Sequence, residues 1–234
     1  MSKELQIVVP VYNEETSLKR LIDDWRNLLD NLSLDYQFLF IDDGSTDHSL
    51  DLLQTYRHDS PDILVYSQPN AGHGPAILNG YTHACQAHWV LQIDSDHQLT
   101  PNSFPEFWHG REDYDLILGN RKEKNASTSR RLISNTSRSL TRILFGGRSP
   151  NDVNCPYRLF RGPALVRALP LIPPDSFAPN VLLTAWFIRN HMRIRSIPVP
   201  GNDAIPIKKS ELNGYFLRGS IRALWQTLLF RFRS

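Results

Sequence analysis

Short β-branched and apolar runs alternate with longer amphipathic stretches through the first half of the chain, and most of those runs end in a polar cluster. Leu5–Val11 is the first run. After it, Leu18, Leu21, Ile22, Trp25, Leu28 and Leu29 recur at helical spacing between Thr16 and Leu32. Phe38–Ile41 is the second run, followed by a helical stretch from Asp47 to Arg57 that carries Leu50, Leu52 and Leu53. Ile63–Tyr66 is the third. A helix is predicted from Pro75 to Ala87, with Pro75 in the first turn, where its missing N–H costs little. Trp89–Ile93 and Asp115–Gly119 are the fourth and fifth runs. Alternation of this kind predicts an α/β fold: a mostly parallel sheet with helices on both faces. Ligands of such sheets sit beyond the carboxyl ends of the strands. Tyr12-Asn13-Glu14, Asp42-Asp43 and Asp94-Ser95-Asp96 all fall there.

The second half is less regular. Tyr157–Phe160 reads as a short strand, Val181–Asn190 as a buried helix and Met192–Val199 as a late strand. Lys122–Ser139 and Gly201–Asn213 read as largely irregular. With 234 residues, 41% of them hydrophobic, the chain fills one core, so residues 1–211 are expected to form a single unit with a helical tail over 212–234. A net charge of +2 argues against a dedicated nucleic-acid binder. Cys85 and Cys155 form neither a disulfide framework nor a zinc knuckle, and fit reduced thiols in a cytoplasmic protein. Met1-Ser2-Lys3-Glu4 leads directly into a strand, with no signal peptide expected, and no apolar run reaches spanning length.

Three clusters carry chemistry. Asp94 and Asp96, one residue apart at a strand end, present oxygen ligands suited to Mg²⁺ or Mn²⁺, and Gln98 adds an amide oxygen. The bland alternative is a turn whose aspartates cap the next helix. In Asp42-Asp43-Gly44-Ser45-Thr46-Asp47, carboxylates suit a base or ribose hydroxyl, Gly44 permits a tight turn, and Thr46 or Asp47 caps the next helix. Capping accounts for only part of that cluster, because two adjacent acids precede the glycine. Pro69–Gly74 places glycines before a helix, where backbone N–H groups approach a ligand or simply shape a loop.

Taken together, Val9–Glu15, Ile41–Asp47, Asn70–Gly74 and Asp94–Asp96 stand in order and at suitable spacing. This pattern resembles glycosyltransferase family 2, with its Rossmann-like GT-A fold. The resemblance implies an inverting transferase that takes a nucleoside-diphosphate sugar as donor. It implies that Pro10, Tyr12, Glu14, Asp42, Asp43, Asn70 and Gly72 hold the donor, that Asp94 meets the ribose or the metal, and that Asp96 and Gln98 bind the metal. Gly119-Asn120-Arg121, Arg130–Ser134 and Asp152–Phe160 resemble the branch that glycosylates dolichyl or polyprenyl phosphate. Arginine's fixed fork of donors suits phosphate oxygens, so Arg121, Arg130 and Ser134 are the candidates for the acceptor phosphate, with Arg131 in reserve. A solvated basic helix start is the plain alternative.

The only Glu-Asp pair, Glu112-Asp113, precedes a strand and is poorly placed for a general base. A lipid phosphate is already ionised and needs none, whereas a hydroxyl acceptor benefits from one. The branch's Gly-x-Ser-Lys segment is replaced here by Gly201–Ser210, where Lys208 or Lys209 would stand in as point charges. That departure keeps a saccharide or other hydroxyl acceptor open. A nucleotidyltransferase would need a glycine-rich loop after the first strand, but the first glycine is Gly44. A dinucleotide-dependent oxidoreductase would need GxGxxG after a strand, which is missing. A sugar-nucleotide-binding protein without catalysis is the third reading. Leu217, Ile221, Leu224, Trp225, Leu228 and Phe232 recur at helical spacing among Arg218, Arg222, Arg231 and Arg233. Such a helix either lies in the cytoplasmic face of a membrane, contacts a membrane-protein partner, or packs on the core or on a second subunit.

Overall fold

The computed structural model describes residues 3–84, 86–121, 139, 150–201 and 214–233. The order of elements is β1 (Leu5–Val11), α1 (Glu15–Asn31), β2 (Tyr36–Asp42), α2 (Ser49–Asp59), β3 (Ile63–Ser67), α3 (His73–His83), β4 (Trp89–Gln92) and α4 (Phe104–His109). There follow β5 (Leu116–Arg121), β6 (Arg158–Arg161), α5 (Gly162–Ala168), α6 (Pro179–Arg189), β7 (Ile194–Val199) and α7 (Gly214–Arg233). Among the described residues, the strands form one seven-stranded sheet in the order β3-β2-β1-β4-β6-β5-β7. All pairings are parallel except those of β6, which runs antiparallel to both β4 and β5. The predicted mostly parallel sheet is therefore present, with one reversed strand inside it.

Both faces of the sheet are buried, which explains why its strands read as near-continuous apolar runs. Leu5, Ile7 and Val9 of β1 and Phe38 and Phe40 of β2 face Leu18, Leu21, Ile22, Trp25 and Leu29 of α1. On the other face, Val8, Leu39, Val90, Leu118 and Phe160 meet Ile77 and Tyr81 of α3, Leu165 of α5, and Leu183 and Phe187 of α6. Burying a large core side chain contributes about 1.5–3 kcal/mol each.

Boundaries shift where side chains cap. α2 begins at Ser49, two residues later than its pattern suggested, because Asp47 Oδ1 accepts the Ser49 N–H at 2.9 Å. α3 begins at His73 and ends at His83, four residues early. The short α4 and α5 are additions to the expected elements. Cys155 is in the core, where burial pushes its thiol pKa up to about 12 and keeps it a neutral thiol. Cys85 lies outside the described residues, as do 122–138 and 202–213. Among the described residues, no helix is long and apolar enough to cross a membrane.

Helix α7 packs on the core. Phe230 and Thr227 are buried, and Phe230 joins the cluster of Leu182, Leu183 and Phe187. Gln226 Oε1 accepts the Phe177 N–H at 3.3 Å and the Ser176 hydroxyl at 3.4 Å. Arg222 pairs with Asp175. The opposite side of α7 exposes Trp225 and Leu229.

Candidate functional site

The chain order doubles back at β1, whose neighbours are β2 and β4, so the loops after β1 and β4 part and leave a crevice at the carboxyl edge. A cavity of about 410 Å³ occupies it. Its lining includes Pro10 at the end of β1 with Tyr12 and Glu14 after it, Asp43 after β2, Asn70, Gly72, His73 and Ala76 around the start of α3, and Asp94, Ser95 and Asp96 after β4. Four separate sequence clusters thus meet in one place.

The loops after β1 and β2 are stitched together. Asn13, at φ 54, has the left-handed backbone that asparagine tolerates better than most residues. Its Oδ1 accepts the Thr46 N–H at 2.7 Å, and its own N–H donates to Ser45 Oγ at 3.1 Å. The Glu14 N–H donates to Ser49 Oγ at 2.8 Å, and the Glu15 N–H to Asp47 Oδ2 at 3.2 Å. Burial raises the Asp47 pKa, but the Ser49 and Glu15 donors outweigh it and hold the carboxyl below its ordinary value. Asn13, Ser45, Thr46 and Ser49 therefore shape the wall from which the half-exposed Tyr12 projects. Sequence reading gave Asn13, Ser45 and Ser49 no role of their own. Their signal is the run of short hydroxyl and amide side chains after two successive strands.

The two adjacent aspartates divide their work. Asp42 is fully buried, is not part of the cavity lining, and accepts from the Ser45 N–H at 3.2 Å and Ser67 Oγ at 2.9 Å. It braces the loop from beneath. Asp43 lines the cavity and accepts from Gln68 Nε2 at 2.7 Å and from the N–H groups of Ala71 and Gly72 at 2.9 and 2.8 Å. A carboxylate offers about four acceptor positions, so roughly one remains for a ligand. Gly72 caps α3 at φ 96, a backbone that only glycine adopts without strain. The first turn of α3 borders the cavity at His73, and the positive end of a helix is a setting that favours an anion.

Asp94 Oδ1 lies 3.5 Å from His73 Nε2 and 3.5 Å from Gln92 Nε2. Asp96 Oδ1 accepts the Gln98 N–H at 3.1 Å, closing a local turn. Gln98 itself is not among the described residues that line the cavity. His97, with φ 55, turns inward and its Nε2 meets Asp24 Oδ2 of α1 at 2.9 Å. The loop is thereby fastened to α1 while the aspartates on either side of Ser95 remain on the cavity. Two carboxylates beside an anion-binding helix start form an oxygen donor set that fits a Mg²⁺ or Mn²⁺ ion shared with substrate phosphates.

Burial lowers the His97 pKa below the ordinary 6.5, against the opposing effect of Asp24. The unfolded chain takes up this proton at higher pH than the native one, so stability is complete above about pH 6.5 and declines as pH falls below it. Urea melts between pH 7.5 and 5 should show that decline, and His97→Gln should flatten it. An equal slope in the variant would sink the assignment.

Arg121, at the end of β5, is held by Asp152 in a bidentate pair, Nε to Oδ2 at 2.7 Å and Nη2 to Oδ1 at 3.1 Å. Burial opposes its charge, but the Asp152 and Asp94 carboxylates outweigh it and raise its pKa. Arg121 is thus within electrostatic reach of Asp94, although it does not line the cavity. Arg130, Arg131, Ser134, Lys208 and Lys209 lie outside the described residues.

Residues 6–162 match the family model of Glycosyl transferase family 2. The chain is 27% identical over 199 residues to an undecaprenyl-phosphate 4-deoxy-4-formamido-L-arabinose transferase of Edwardsiella ictaluri (strain 93-146), covering 84% of this chain and 58% of that protein. The transferase of the same name from Pseudomonas syringae pv. syringae (strain B728a) is 33% identical over 162 residues, 68% of this chain and 48% of that one. This chain therefore spans about half the length of these relatives. Among solved structures, glucosyl-3-phosphoglycerate synthase from Mycobacterium tuberculosis in complex with uridine diphosphate superposes with a TM-score of 0.72 at 18% identity, over 98% of this chain and 80% of that one. The same synthase with Mn²⁺ and UDP-glucose gives 0.69 at 19% identity, over 98% of this chain and 79% of that one.

Proposed function

The chain belongs to glycosyltransferase family 2 and has the GT-A fold, and from that premise we propose that it transfers a sugar from a nucleoside diphosphate to a polyprenyl phosphate. The observation that carries the proposal is the meeting of Tyr12, Asp43, the α3 start and the Asp94–Asp96 pair in one cavity. In this reading Tyr12 and Asp43 hold the nucleoside. The positive end of α3, with His73, receives the diphosphate. Asp94 and Asp96 would hold a divalent ion, which when bound would supply charge neutralisation on the leaving diphosphate. The acceptor phosphate oxygen, already ionised, attacks the anomeric carbon in line from the side opposite the leaving group, which inverts the centre. No side chain needs to remove a proton. Positioning and electrostatics account for most of the rate.

The names of the relatives support a lipid-phosphate acceptor, and the neighbour solved with Mn²⁺ and UDP-glucose supports a metal and a sugar nucleotide as donor. The deciding assay is a screen of UDP- and GDP-sugars with Mn²⁺ or Mg²⁺ and undecaprenyl phosphate. Parallel arms offer 3-phosphoglycerate and simple saccharides as hydroxyl acceptors. Transfer to the lipid phosphate is the expected result; transfer only to hydroxyl acceptors would refute the proposal. Removal of the metal by EDTA should abolish turnover.

Arg121 is the described candidate for the acceptor phosphate. Arg121→Lys keeps the charge but loses the fork, so the KM for lipid phosphate should rise about tenfold while the donor KM holds. Equal effects on both substrates would instead assign Arg121 to the fold.

The outer side of α7 is read as the membrane contact. Trp225 is 62% exposed and Leu229, four residues on, is 49% exposed. Arg222 and Arg231 are exposed on the same helix, and the sequence has no acid after Glu211. Apolar groups flanked by arginine suit an anionic bilayer surface. Changing both Trp225 and Leu229 to glutamate should weaken sedimentation with phosphatidylglycerol vesicles by tenfold or more, given roughly 1.5–3 kcal/mol per buried apolar side chain. Unaltered sedimentation would leave α7 with its packing role alone.

A further inference from the structure

Beneath the cavity floor lies a polar cluster sealed from solvent. Gln92, the last residue of β4, is fully buried, as is Tyr81 of α3, and Asn180 of α6 is nearly so. Gln92 Oε1 accepts the Tyr81 hydroxyl at 2.9 Å and Asn180 Nδ2 at 2.8 Å. The other end of the carboxamide, Nε2, reaches Asp94 Oδ1 at 3.5 Å, the outer limit of a hydrogen bond.

We propose that Gln92 is a positioning residue that holds Asp94 in its ligand-binding orientation, with Tyr81 and Asn180 fixing the amide so that its N–H faces the carboxylate.

The direction of the amide follows from its neighbours. Burial keeps the proton on the Tyr81 phenol, so that hydroxyl donates. Asn180 Nδ2 donates as well, so the oxygen of Gln92 must face these two groups and the nitrogen must face Asp94. Reversing both amides would aim an oxygen at a carboxylate. A purely structural role accounts for less. The Tyr81 hydroxyl already has a second acceptor, Asn180 Oδ1, at 3.2 Å. It therefore does not need Gln92, and an apolar side chain at a buried strand end would avoid the cost of burying an amide.

The cluster also extends towards Arg121. Gln92 is the registered neighbour of Arg158 across the β4–β6 pair. Arg158 is fully buried and donates to the carbonyls of Asn180 at 3.1 Å, Cys155 at 2.9 Å and Val153 at 3.1 Å. Val153 follows Asp152, which grips Arg121. One continuous set of hydrogen bonds therefore links the support of Asp94 to the segment that holds Arg121.

The inference rests on the reading of Asp94 as a ligand-binding carboxylate, and its test separates the two. Mn²⁺ affinity of the full chain is measured by water-proton relaxation, and melting temperature by circular dichroism. Gln92→Met keeps the size of the side chain and removes the amide. It should weaken Mn²⁺ binding about tenfold, the usual effect of losing a group that orients a ligand. Phe187→Leu, a core change on α6, serves as the stability control and should leave Mn²⁺ affinity unchanged. If Gln92→Met binds Mn²⁺ within twofold of the wild type, or if Phe187→Leu loses as much affinity, the positioning role is wrong. If the wild type itself fails to bind Mn²⁺, the reading of Asp94 fails first and takes the inference with it. Should Gln92→Met not fold, Tyr81→Phe removes one of the two bonds that orient the amide and should weaken Mn²⁺ binding about threefold; unchanged affinity there overturns the proposal.

Discussion

Asp96→Ala should lower the rate of sugar transfer about a thousandfold, because a bound divalent ion contributes several kcal/mol to neutralising a leaving diphosphate. The fold should survive. Asp96 is on the surface of the cavity, and the contact described for its Oδ1 is the Gln98 N–H. Losing a bond of that type costs about 1 kcal/mol, equivalent to roughly 2–4 °C in a chain of this size. Transfer assays and thermal melts on the same preparation separate the two effects. A variant that retains full transfer would remove Asp96 from the metal site, and one that fails to fold would reveal a structural role for the side chain.

Gly74→Ala is expected to have the largest effect on stability. A Cβ on Gly74 would lie 1.9 Å from the Ser176 carbonyl oxygen and 3.0 Å from that of Phe177. These are main-chain atoms, so no side chain can rotate away. The Ser176–Phe177 segment is also held from behind: Gln226 of α7 accepts from both residues, and the Phe177 ring covers Gly219. Overpacking against such a wall costs about 3 kcal/mol, which lowers the melting temperature by roughly 6–12 °C. Gly74 is in the first turn of α3, so any relief of the clash moves Gly72 and His73 on the cavity wall. Donor affinity should fall together with stability. A melting temperature within about 2 °C of the wild type would show that the segment yields, contrary to the argument.

Much of the donor side was legible because each feature there is local. A strand ends, a polar cluster follows, and the parallel sheet brings those ends to one edge. Periodicity identified β1 to β5 and α1 to α3 for the same reason. It passed over α4 and α5, since six or seven residues are too few to repeat a helical stripe. The strand at Arg158–Arg161 was visible in Tyr157–Phe160, but its antiparallel direction was not: a run of apolar residues has the same composition in either direction. Asp42 and Asp43 look alike in the sequence. They differ because Asp42 is still in β2, with Ser45 and Ser67 around it, whereas Asp43 is already beyond the strand. The grip of Asp152 on Arg121 was hidden because the two are 31 residues apart and no local rule pairs them. Gln92 went unnoticed for a related reason. A glutamine at a strand end looks like surface until α3 and α6 close over it.

The reversed strand also sets an order in which the molecule can be assembled. β3, β2, β1 and β4 come from residues before 93 and can pair as soon as that stretch exists. β4 then presents an open edge, Trp89–Gln92, until Arg158–Arg161 arrives to cover it. β5 must wait as well, since its neighbours among the described strands are β6 and β7. During synthesis the nascent chain therefore carries an uncapped, apolar strand for the time needed to translate more than sixty further residues. Open edges of this kind recruit other chains. Fragments ending before β6 should be the aggregating species in any truncation series, and the interval between β4 and β6 is where a holdase would bind the emerging polypeptide.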